Sequence, residues 1–212
     1  MSFDTLAPYY RIMEWVTAGG VLQRCRTSFL VEAKNSHRAL LLGEGPGRFL
    51  VELLRANPRV EITCVERSPR MIEEARSKLT ESENARVRFE QADALKWQPP
   101  HHEFDLVVTN FFLDCFRPDE LQLLVTKVGA SATTNARWLL ADFREPERGW
   151  RRWRGRAVLG LMYAFFRFTT DLSAARLTPP TGFLQAAGFR LVDQRLANFG
   201  LVHSDLWQRG ER

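Results

Sequence analysis

Three glycines stand within five residues, directly after an apolar run, in the stretch ALLLGEGPGRFL (39–50). They are Gly43, Gly45 and Gly47. A glycine has no side chain and tolerates left-handed backbone angles, so a glycine-rich turn lets a ligand approach the main chain closely. When such a turn joins a buried strand to a helix, it lies at the carboxyl end of the sheet, where open α/β folds bind ligands. The stretch therefore predicts a ligand-binding loop rather than a turn that serves packing alone.

Two carboxylates follow at positions that suit one and the same ligand. Glu66 comes 19 residues after Gly47 and ends the β-branched segment VEITCVE (60–66), while Asp93 ends the segment VRFEQAD (87–93). An acid at the end of the second strand is placed to bind the hydroxyls of a ribose. A carboxylate at the end of the third strand can accept a hydrogen bond from an adenine amino group. Each acid alone would be an ordinary solvated residue, but together with the glycine loop they indicate an adenosine-type ligand.

Three side chains that could take a proton from a substrate come later in the chain. Asp114 follows the fourth predicted strand, Asp142 lies in the fifth, and His203 lies in the last. A carboxylate or an imidazole held next to a reacting group can act as a general base. Each also has a structural explanation, as a charge at a helix N-terminus, a turn cap and a packed strand residue respectively. We treat all three as catalytic candidates.

Strand and helix patterns alternate in the part of the chain that carries these residues. A buried strand is predicted at 38–42, further strands at 60–66, 87–93, 104–112 and 136–143, and helices at 47–57, 68–79 and 117–128. The second helix begins with Ser68 as N-cap and Pro69 at its first position. Such alternation is typical of parallel βαβ units with helices on both faces of one sheet. Two more strands, at 190–198 and 201–208 around Gly200, predict an antiparallel hairpin.

At this point the residues resemble a known family. The motifs LLLGEGPG, Glu66, QADAL and FDLVVTNFF resemble those of class I S-adenosylmethionine-dependent methyltransferases over roughly residues 35–145. The resemblance implies a Rossmann-like α/β fold with a seven-stranded, mostly parallel sheet, an antiparallel last strand and helices on both faces. It also implies S-adenosylmethionine as cofactor, S-adenosylhomocysteine as product and a small, apolar or aromatic methyl acceptor.

The resemblance also assigns roles to residues of the site. The glycines would pass beneath the methionine part and the ribose, Glu66 would bind the ribose hydroxyls, and Asp93 with Ala94 would meet the adenine. Asn110 would line the cleft near the sulfonium. The cofactor-binding residues implied in this way are Gly43, Glu44, Gly45, Gly47, Glu66, Arg67, Asp93, Ala94, Asn110 and Tyr10.

The loop matches the motifs of other nucleotide-binding families less well, and it departs from the methyltransferase pattern at one position. A nicotinamide-binding loop would place Gly or Ala where this chain has Arg48, and a P-loop needs Gly-Lys-Ser/Thr, which is absent. The family usually has an acid two residues before its first motif glycine, where this chain has Leu41. We expect Glu44, inside the loop, to take part of that electrostatic role.

The segment FDTLAPYY resembles the N-terminal lid of quinone-methylating enzymes, so Tyr10 is expected to cover the cofactor.

The stretch REPERGWRRWRGRAVLGLMYAFFRF (144–168) is basic and aromatic and leaves three interpretations open. It could cap the acceptor pocket, with an apolar face of Leu159, Met162, Phe165 and Phe166 packed on the sheet. It could instead rest on an anionic membrane surface as a basic amphipathic helix, through residues 148–166. Arginines and tryptophans could also bind nucleic acid by phosphate contact and stacking. Nucleic acid is disfavoured because TNFF lacks the prolines that amino-methylating enzymes of nucleic acids tend to have there.

Composition narrows the class of protein further. The 212 residues carry a formal charge of +5, with 26 arginines and four lysines. The three cysteines show no C-x-x-C pair and no zinc spacing, which predicts neither a disulfide framework nor a metal site and favours a reducing compartment. The N-terminus has no secretion-signal pattern. We therefore expect a cytoplasmic enzyme.

The expected organisation is a single methyltransferase domain. It would comprise an N-terminal helical lid (1–35), a cofactor-binding core (36–145), a helical cap (146–187) and a C-terminal hairpin (188–210). The alternative function is a nucleic-acid or membrane-surface binding module on a degenerate version of this fold, suggested by Leu41 and by the arginine-rich stretch.

Overall fold

Seven strands form one sheet in the computed structural model, which describes residues 20–146, 149–150, 152–157, 159–160 and 177–210. The strands are β1 (Arg38–Leu42), β2 (Glu61–Glu66), β3 (Val87–Gln91), β4 (Phe104–Asn110), β5 (Ala132–Phe143), β6 (Phe189–Ala197) and β7 (Val202–Arg209). Their order across the sheet is β3-β2-β1-β4-β5-β7-β6. β1 to β5 pair in parallel, and β7 runs antiparallel between β5 and β6. The predicted mostly parallel, seven-stranded sheet is confirmed.

Helices connect the parallel strands and cover the sheet. They are α1 (Val21–Thr27), α2 (Arg48–Ala56), α3 (Pro69–Arg76), α4 (Glu81–Asn84), α5 (Pro118–Ser131) and α6 (Thr181–Ala186). Residues 149–150, 152–157 and 159–160 are also helical. Ser68 caps α3 as predicted, since its hydroxyl accepts a hydrogen bond from the N–H of Met71 at 3.3 Å. Within the described residues, no helix combines the length and apolarity that crossing a bilayer requires.

The two faces of the sheet carry separate apolar cores. On one face, Leu121 and Leu124 of α5 and Leu184 of α6 are buried against the sheet together with Trp138. On the other face, the apolar side of α2 packs against β1 and β2; its buried residues are Phe49, Leu50, Leu53 and Leu54. Burial on both faces explains why β1 and most of β4 read as apolar runs.

Several element boundaries differ from the predicted ones. β5 begins at Ala132, four residues before the expected start, because Ala132 pairs with Phe104 of β4 ahead of a register irregularity. β4 ends at Asn110 rather than at residue 112, since Phe111 adopts a left-handed φ of 55° that no strand continues through. The short helix α4 was not predicted, because four residues carry little periodic signal, whereas α6 lies inside the expected helical cap.

Candidate active site

A cavity of about 290 Å³ lies at the carboxyl ends of β1, β2 and β4. Ligands of parallel α/β sheets bind at this edge, and typical ligand pockets measure ~300–1,000 Å³. Eight of the ten residues predicted to bind cofactor line it: Gly43, Glu44, Gly45, Glu66, Arg67, Asp93, Ala94 and Asn110. Tyr10 lies outside the described residues. Gly47 is described but is not part of the cavity wall.

The three glycines of the loop have three different surroundings. All three adopt left-handed φ angles, between 62° and 80°. A Cβ at Gly45 would meet no atom within 4 Å, so its backbone faces open space in the cavity, whereas the ring of Phe112 occupies the space that a Cβ at Gly43 would take. A Cβ at Gly47 would lie 2.9 Å from the Cβ of Ala75. The absence of a side chain at Gly47 therefore serves the close approach of α2 and α3, in contrast to the expected position beneath the ligand.

The carboxylate of Glu66 is held at the cavity wall by two backbone donors. The N–H of Gly45 donates to Oε2 at 3.0 Å, and the N–H of Ser68 donates to Oε1 at 2.9 Å. Charge-assisted hydrogen bonds of this kind fix the geometry of a carboxylate. Glu66 thus links the glycine loop to the start of α3 and presents its acid at the end of β2, as the pattern of the sequence predicts.

The turn after β3 holds Asp93 and Ala94 on the opposite wall. The N–H of Leu95 donates to Oδ1 of Asp93 at 3.0 Å, which stabilises the turn. Lys127 of α5 reinforces it, because its ammonium donates to the carbonyls of Ala94 and Leu95 at 2.8 and 2.9 Å. Burial lowers the pKa of Lys127, and the nearby Asp93 partly opposes this. The sequence did not identify Lys127, which lies in the middle of an amphipathic helix far along the chain.

Asn110 contributes a buried donor that lacks a partner. Its Nδ2 atom is inaccessible to solvent and makes no hydrogen bond in the described part of the chain, and the residue lines the cavity. An unsatisfied buried N–H group is unfavourable by ~1–3 kcal/mol, and native structures contain few. Its place in the wall favours a ligand that brings an acceptor to this point.

Glu44 lies in the glycine loop, whereas the position at which the family usually has an acid is occupied by Leu41. Leu41 is fully buried between Cys64 of β2 and Val108 of β4. Glu44 lines the cavity, and its Oε1 accepts hydrogen bonds from the N–H groups of Phe49 and Leu50 at 2.7 and 3.0 Å, at the start of α2. Burial raises the pKa of Glu44 to about 7, against the opposing effect of these N–H groups and of a nearby arginine.

That arginine is Arg26 of α1, which lines the same cavity. Its guanidinium carbon lies 4.9 Å from the centroid of the Phe111 ring, a cation–π arrangement. The sequence analysis missed Arg26, because one arginine among 26 carries no local signal. The cavity wall therefore carries an acidic side chain, Glu44, and a positively charged one, Arg26, close to the same end of the loop.

The three catalytic candidates come together, but none of them is part of the cavity wall. The N–H of Asp114 donates to Oδ2 of Asp142 at 3.1 Å, and that of Phe143 donates to Oδ1 at 3.0 Å. His203 of β7 lies opposite Asp142 in the antiparallel register. Its Nδ1 is 2.9 Å from Oδ1 of Asp205, at an angle outside hydrogen-bond geometry.

The carboxyl groups of Asp114 and Asp142 form a buried pair. Burial raises the pKa of both, and the neighbouring Asp114 raises the pKa of Asp142 further, well above its usual range. The hydrogen bond between the two side chains acts on the pKa of Asp142 in the same direction. The thiol of Cys115 donates to Oδ1 of Asp114 at 3.5 Å, and Cys115 lines the cavity. The pair thus lies directly behind the cavity wall.

Comparison with known proteins identifies the family. Residues 39–143 match the family described as "Methyltransferase domain". The chain is 32% identical over 149 residues to the demethylmenaquinone methyltransferase of Deinococcus radiodurans, covering 69% of this chain and 61% of that protein. It is 33% identical over 111 residues to the malonyl-[acyl-carrier protein] O-methyltransferase of Paenibacillus sp., covering 51% and 39%. The chain spans less than two thirds of the length of either relative.

Solved structures share the fold. The 1,6-didemethyltoxoflavin-N1-methyltransferase of Burkholderia thailandensis, solved with 1,6-didemethyltoxoflavin and S-adenosylhomocysteine, superposes with a TM-score of 0.68 at 17% identity, covering 98% of this chain and 86% of that one. The mitomycin 7-O-methyltransferase MmcR gives a TM-score of 0.69 at 19% identity, covering 99% and 61%. The family match spans β1 to β5, and with them the loops that form the cavity. Residues 39–143 therefore form a methyltransferase domain, and the chain shares its fold with solved methyltransferases.

Proposed function

We propose that this chain transfers a methyl group from S-adenosylmethionine to a small, apolar or aromatic acceptor. The observation that carries the proposal is the convergence of Gly45, Glu66, Asp93 and Asn110 on one cavity at the carboxyl edge of the sheet. The relatives support methyl transfer by their names, demethylmenaquinone methyltransferase and malonyl-[acyl-carrier protein] O-methyltransferase.

The cavity residues fit the cofactor. When bound, S-adenosylmethionine supplies a methyl group on a positively charged sulfur. Glu66 is placed to accept hydrogen bonds from the ribose hydroxyls, and Asp93 to accept one from the adenine amino group. The unpartnered Nδ2 of Asn110 offers a donor, and the open space at Gly45 lets a ligand lie against the backbone. These features match the polar groups of an adenosyl amino acid.

Glu44 and Arg26 would hold the amino acid end of the cofactor. Both line the cavity and carry opposite charges, as the ammonium and carboxylate groups of a methionine moiety do. We propose that Glu44 faces the ammonium and Arg26 the carboxylate. Glu44 would then replace the acid that Leu41 lacks, and the ammonium would favour its ionised form.

The chain's main contribution to the reaction would be positioning. In-line displacement requires donor and acceptor atoms ~3–3.5 Å apart and aligned. Three phenylalanines, Phe111, Phe112 and Phe116, belong to the apolar part of the cavity wall and would help to exclude water. Their aromatic surface suits a flat, apolar acceptor, which is the acceptor class that we propose.

We propose a positioning role for Asp114, Asp142 and His203. Burial and the neighbouring Asp114 raise the pKa of Asp142 well above its usual range, and Asp142 does not line the cavity, so it is poorly placed to act as a general base. The hydrogen bond from the N–H of Asp114 to Asp142 ties the segment after β4, which includes Cys115 of the cavity wall, to the end of β5. The cluster would fix the side of the cavity on which the acceptor binds.

Isothermal titration with S-adenosylhomocysteine, followed by a turnover assay, tests the proposal. We expect binding in the micromolar range, within the common KM range of ~1 μM–1 mM, and loss of binding in Glu66→Ala. Glu61→Ala, on the exposed part of the same strand, is the matched control. Release of S-adenosylhomocysteine would then be measured with demethylmenaquinone and with a malonyl thioester as acceptors. Folded protein that binds no S-adenosylhomocysteine would contradict the proposal.

The alternative of a binding module in place of an enzyme gains no support. The cavity residues expected for the cofactor converge, and both curated relatives are named as methyltransferases. A degenerate site would have lost the acids at the ends of β2 and β3, whereas Glu66 and Asp93 both line the cavity.

A further inference from the structure

Three large aromatic side chains stand exposed together near the tip of the β6–β7 hairpin. This aromatic patch consists of Trp150, Trp153 and Phe199, with exposed fractions of 59%, 76% and 56%. The rings of Trp150 and Phe199 are in contact, with centroids 5.6 Å apart. Aromatic groups clustered in water mark an interaction surface rather than a core.

The helical residues that carry the two tryptophans pack against the rest of the protein through the face opposite those side chains. A Cβ at Gly155 would lie 2.6 Å from Cδ of Pro146 and 3.7 Å from Cδ1 of Leu201, so the helix is packed tightly there. Leu159 is buried in the same apolar cluster as Leu201. With 3.6 residues per turn, Gly155 and Leu159 share one face, and Trp150 and Trp153 lie on the opposite one. The outward direction of the tryptophans thus follows from how the helix is anchored.

Phe199 is held outward by a strained turn. Asn198 and Phe199 have φ angles of 49° and 57°, in the left-handed region that non-glycine residues rarely adopt. Arg154 supports this turn: its Nη2 donates to Oδ1 of Asn198 at 3.1 Å, and its guanidinium carbon lies 5.4 Å from the Phe199 ring centroid. Strain of this kind persists where the surrounding structure imposes it and is frequent at functional sites.

Positive charge is concentrated in the sequence segment that carries the two tryptophans. Residues 144–156 contain six arginines and two glutamates, a formal charge of +4 out of the +5 of the whole chain. The Nε atoms of Arg152 and Arg156 both donate to Oε1 of Glu145, at 3.0 and 2.7 Å. The segment therefore keeps a positive excess next to exposed aromatic rings.

We propose that the aromatic patch docks on an anionic lipid surface. Tryptophan and phenylalanine rings insert at the headgroup level of a bilayer, and neighbouring arginines contact lipid phosphates. Leu196 of β6, 54% exposed, adds aliphatic surface near the hairpin tip, which suits acyl chains better than the phosphates and bases of nucleic acid. Phe111 of the cavity wall belongs to the same apolar cluster as Leu159, so the docking helix lies beside the catalytic cavity.

Vesicle flotation of the full chain tests this docking. We expect the protein to float with vesicles of phosphatidylcholine containing about one third phosphatidylglycerol, and not with phosphatidylcholine alone. The double variant Trp150→Ala/Trp153→Ala should reduce the bound fraction at least about fivefold. Leu123→Ala, which removes an exposed apolar side chain on α5, is the matched control and should change nothing. The affinity for S-adenosylhomocysteine should stay unchanged in both variants, since neither touches the cavity.

A second measurement does not depend on a variant. Tryptophan fluorescence of the unmodified protein should shift to shorter wavelength on anionic vesicles and be quenched by brominated lipids. Failure of the protein to bind anionic vesicles, or equal binding by the double variant, would overturn the proposal. So would a salt-sensitive shift of single-stranded RNA or DNA that the double variant loses, without vesicle binding. None of these outcomes depends on whether the protein binds S-adenosylhomocysteine, so they test lipid docking separately from the proposed methyl transfer.

Discussion

The backbone N–H of Gly45 donates a hydrogen bond to Oε2 of Glu66 at 3.0 Å, across 21 residues of chain. The acid proposed to bind ribose therefore also holds the glycine loop in its open, left-handed form. Loop shape and ligand recognition are coupled through one carboxylate. A change at Glu66 should thus affect the cavity twice, by removing a ligand contact and by loosening Gly45.

Replacing this carboxylate should weaken cofactor binding strongly. In Glu66→Gln, one oxygen acceptor becomes a donor, so either the contact from Gly45 or that from Ser68 is lost along with ribose recognition. We expect the Kd for S-adenosylhomocysteine to rise at least about tenfold, or about 1.4 kcal/mol, by isothermal titration. Glu61→Gln on the same strand serves as control, and an equal Kd in both variants would contradict the role of Glu66.

Alanine at two glycines of the loop should separate ligand binding from folding. Gly45→Ala places a methyl group in the open cavity, and Gly47→Ala forces one against Ala75. Both residues have positive φ, so each substitution should lower the unfolding free energy by ~1–2 kcal/mol. Overlap with Ala75 should add a further loss for Gly47→Ala only.

The two glycine variants therefore differ in what they affect most. Thermal unfolding should show the larger decrease in Tm for Gly47→Ala. Titration of the folded protein should show the larger loss of S-adenosylhomocysteine affinity for Gly45→Ala. A greater loss of affinity in Gly47→Ala than in Gly45→Ala would place the ligand elsewhere in the loop.

Glu44 should make the stability of the free protein depend on pH. Burial raises its pKa from 4.5 to about 7, so the folded protein retains a proton that the unfolded chain has released. The resulting penalty is absent below pH 4.5 and complete above about pH 7. The unfolding free energy should thus fall as pH rises through this window, by on the order of 1 kcal/mol after solvent screening. Glu44→Gln should flatten the profile in denaturant titrations, and an unchanged slope would contradict the assignment.

Cofactor binding should depend on pH in the opposite direction. If ionised Glu44 faces the ammonium of the methionine moiety, affinity should rise as Glu44 loses its proton. For a group with a pKa of about 7, we expect the Kd for S-adenosylhomocysteine to be about tenfold lower at about pH 8 than at about pH 6. Titrations of Glu44→Gln should show no such change, and a pH-independent Kd in the unmodified protein would remove Glu44 from the site.

The buried carboxyl pair should destabilise the protein at high pH. Burial raises the pKa of Asp114 and of Asp142, so the unfavourable contribution of the pair grows as pH rises. Asp142→Asn removes one carboxyl but keeps an oxygen acceptor, and its stability should fall less than that of the unmodified protein as pH rises above the usual pKa range of aspartate. Asp142→Leu leaves the N–H groups of Asp114 and Phe143 without their acceptor and should lower the unfolding free energy by ~2–4 kcal/mol.

Urea unfolding across pH measures both effects of the carboxyl pair. Asp193→Asn, on the exposed edge strand β6, is the control and should leave the profile unchanged. An identical pH dependence of stability in Asp142→Asn and in the unmodified protein would contradict the raised pKa of the pair.

Much of the fold could be predicted because its determinants are local. Continuous apolar runs mark β1, β2 and β4, and Ser68 with Pro69 marks the start of α3. The positions of Glu66 and Asp93 in the site were also predictable, since carboxyl ends of parallel strands must meet at one edge. Boundaries such as the early start of β5 at Ala132 were not, because strand pairing with Phe104 decides them.

The sequence by itself determined the alternation of strands and helices, the glycine loop and the acids that follow it. Only the tertiary structure decided which glycine faces the cavity, that Arg26 reaches it, that Lys127 holds the turn after β3, and that Asp114 and Asp142 form a pair with raised pKa. The reason is physical. Periodicity and turn residues report on neighbours along the chain, whereas burial, electrostatic coupling and close approach arise between segments that only folding brings together.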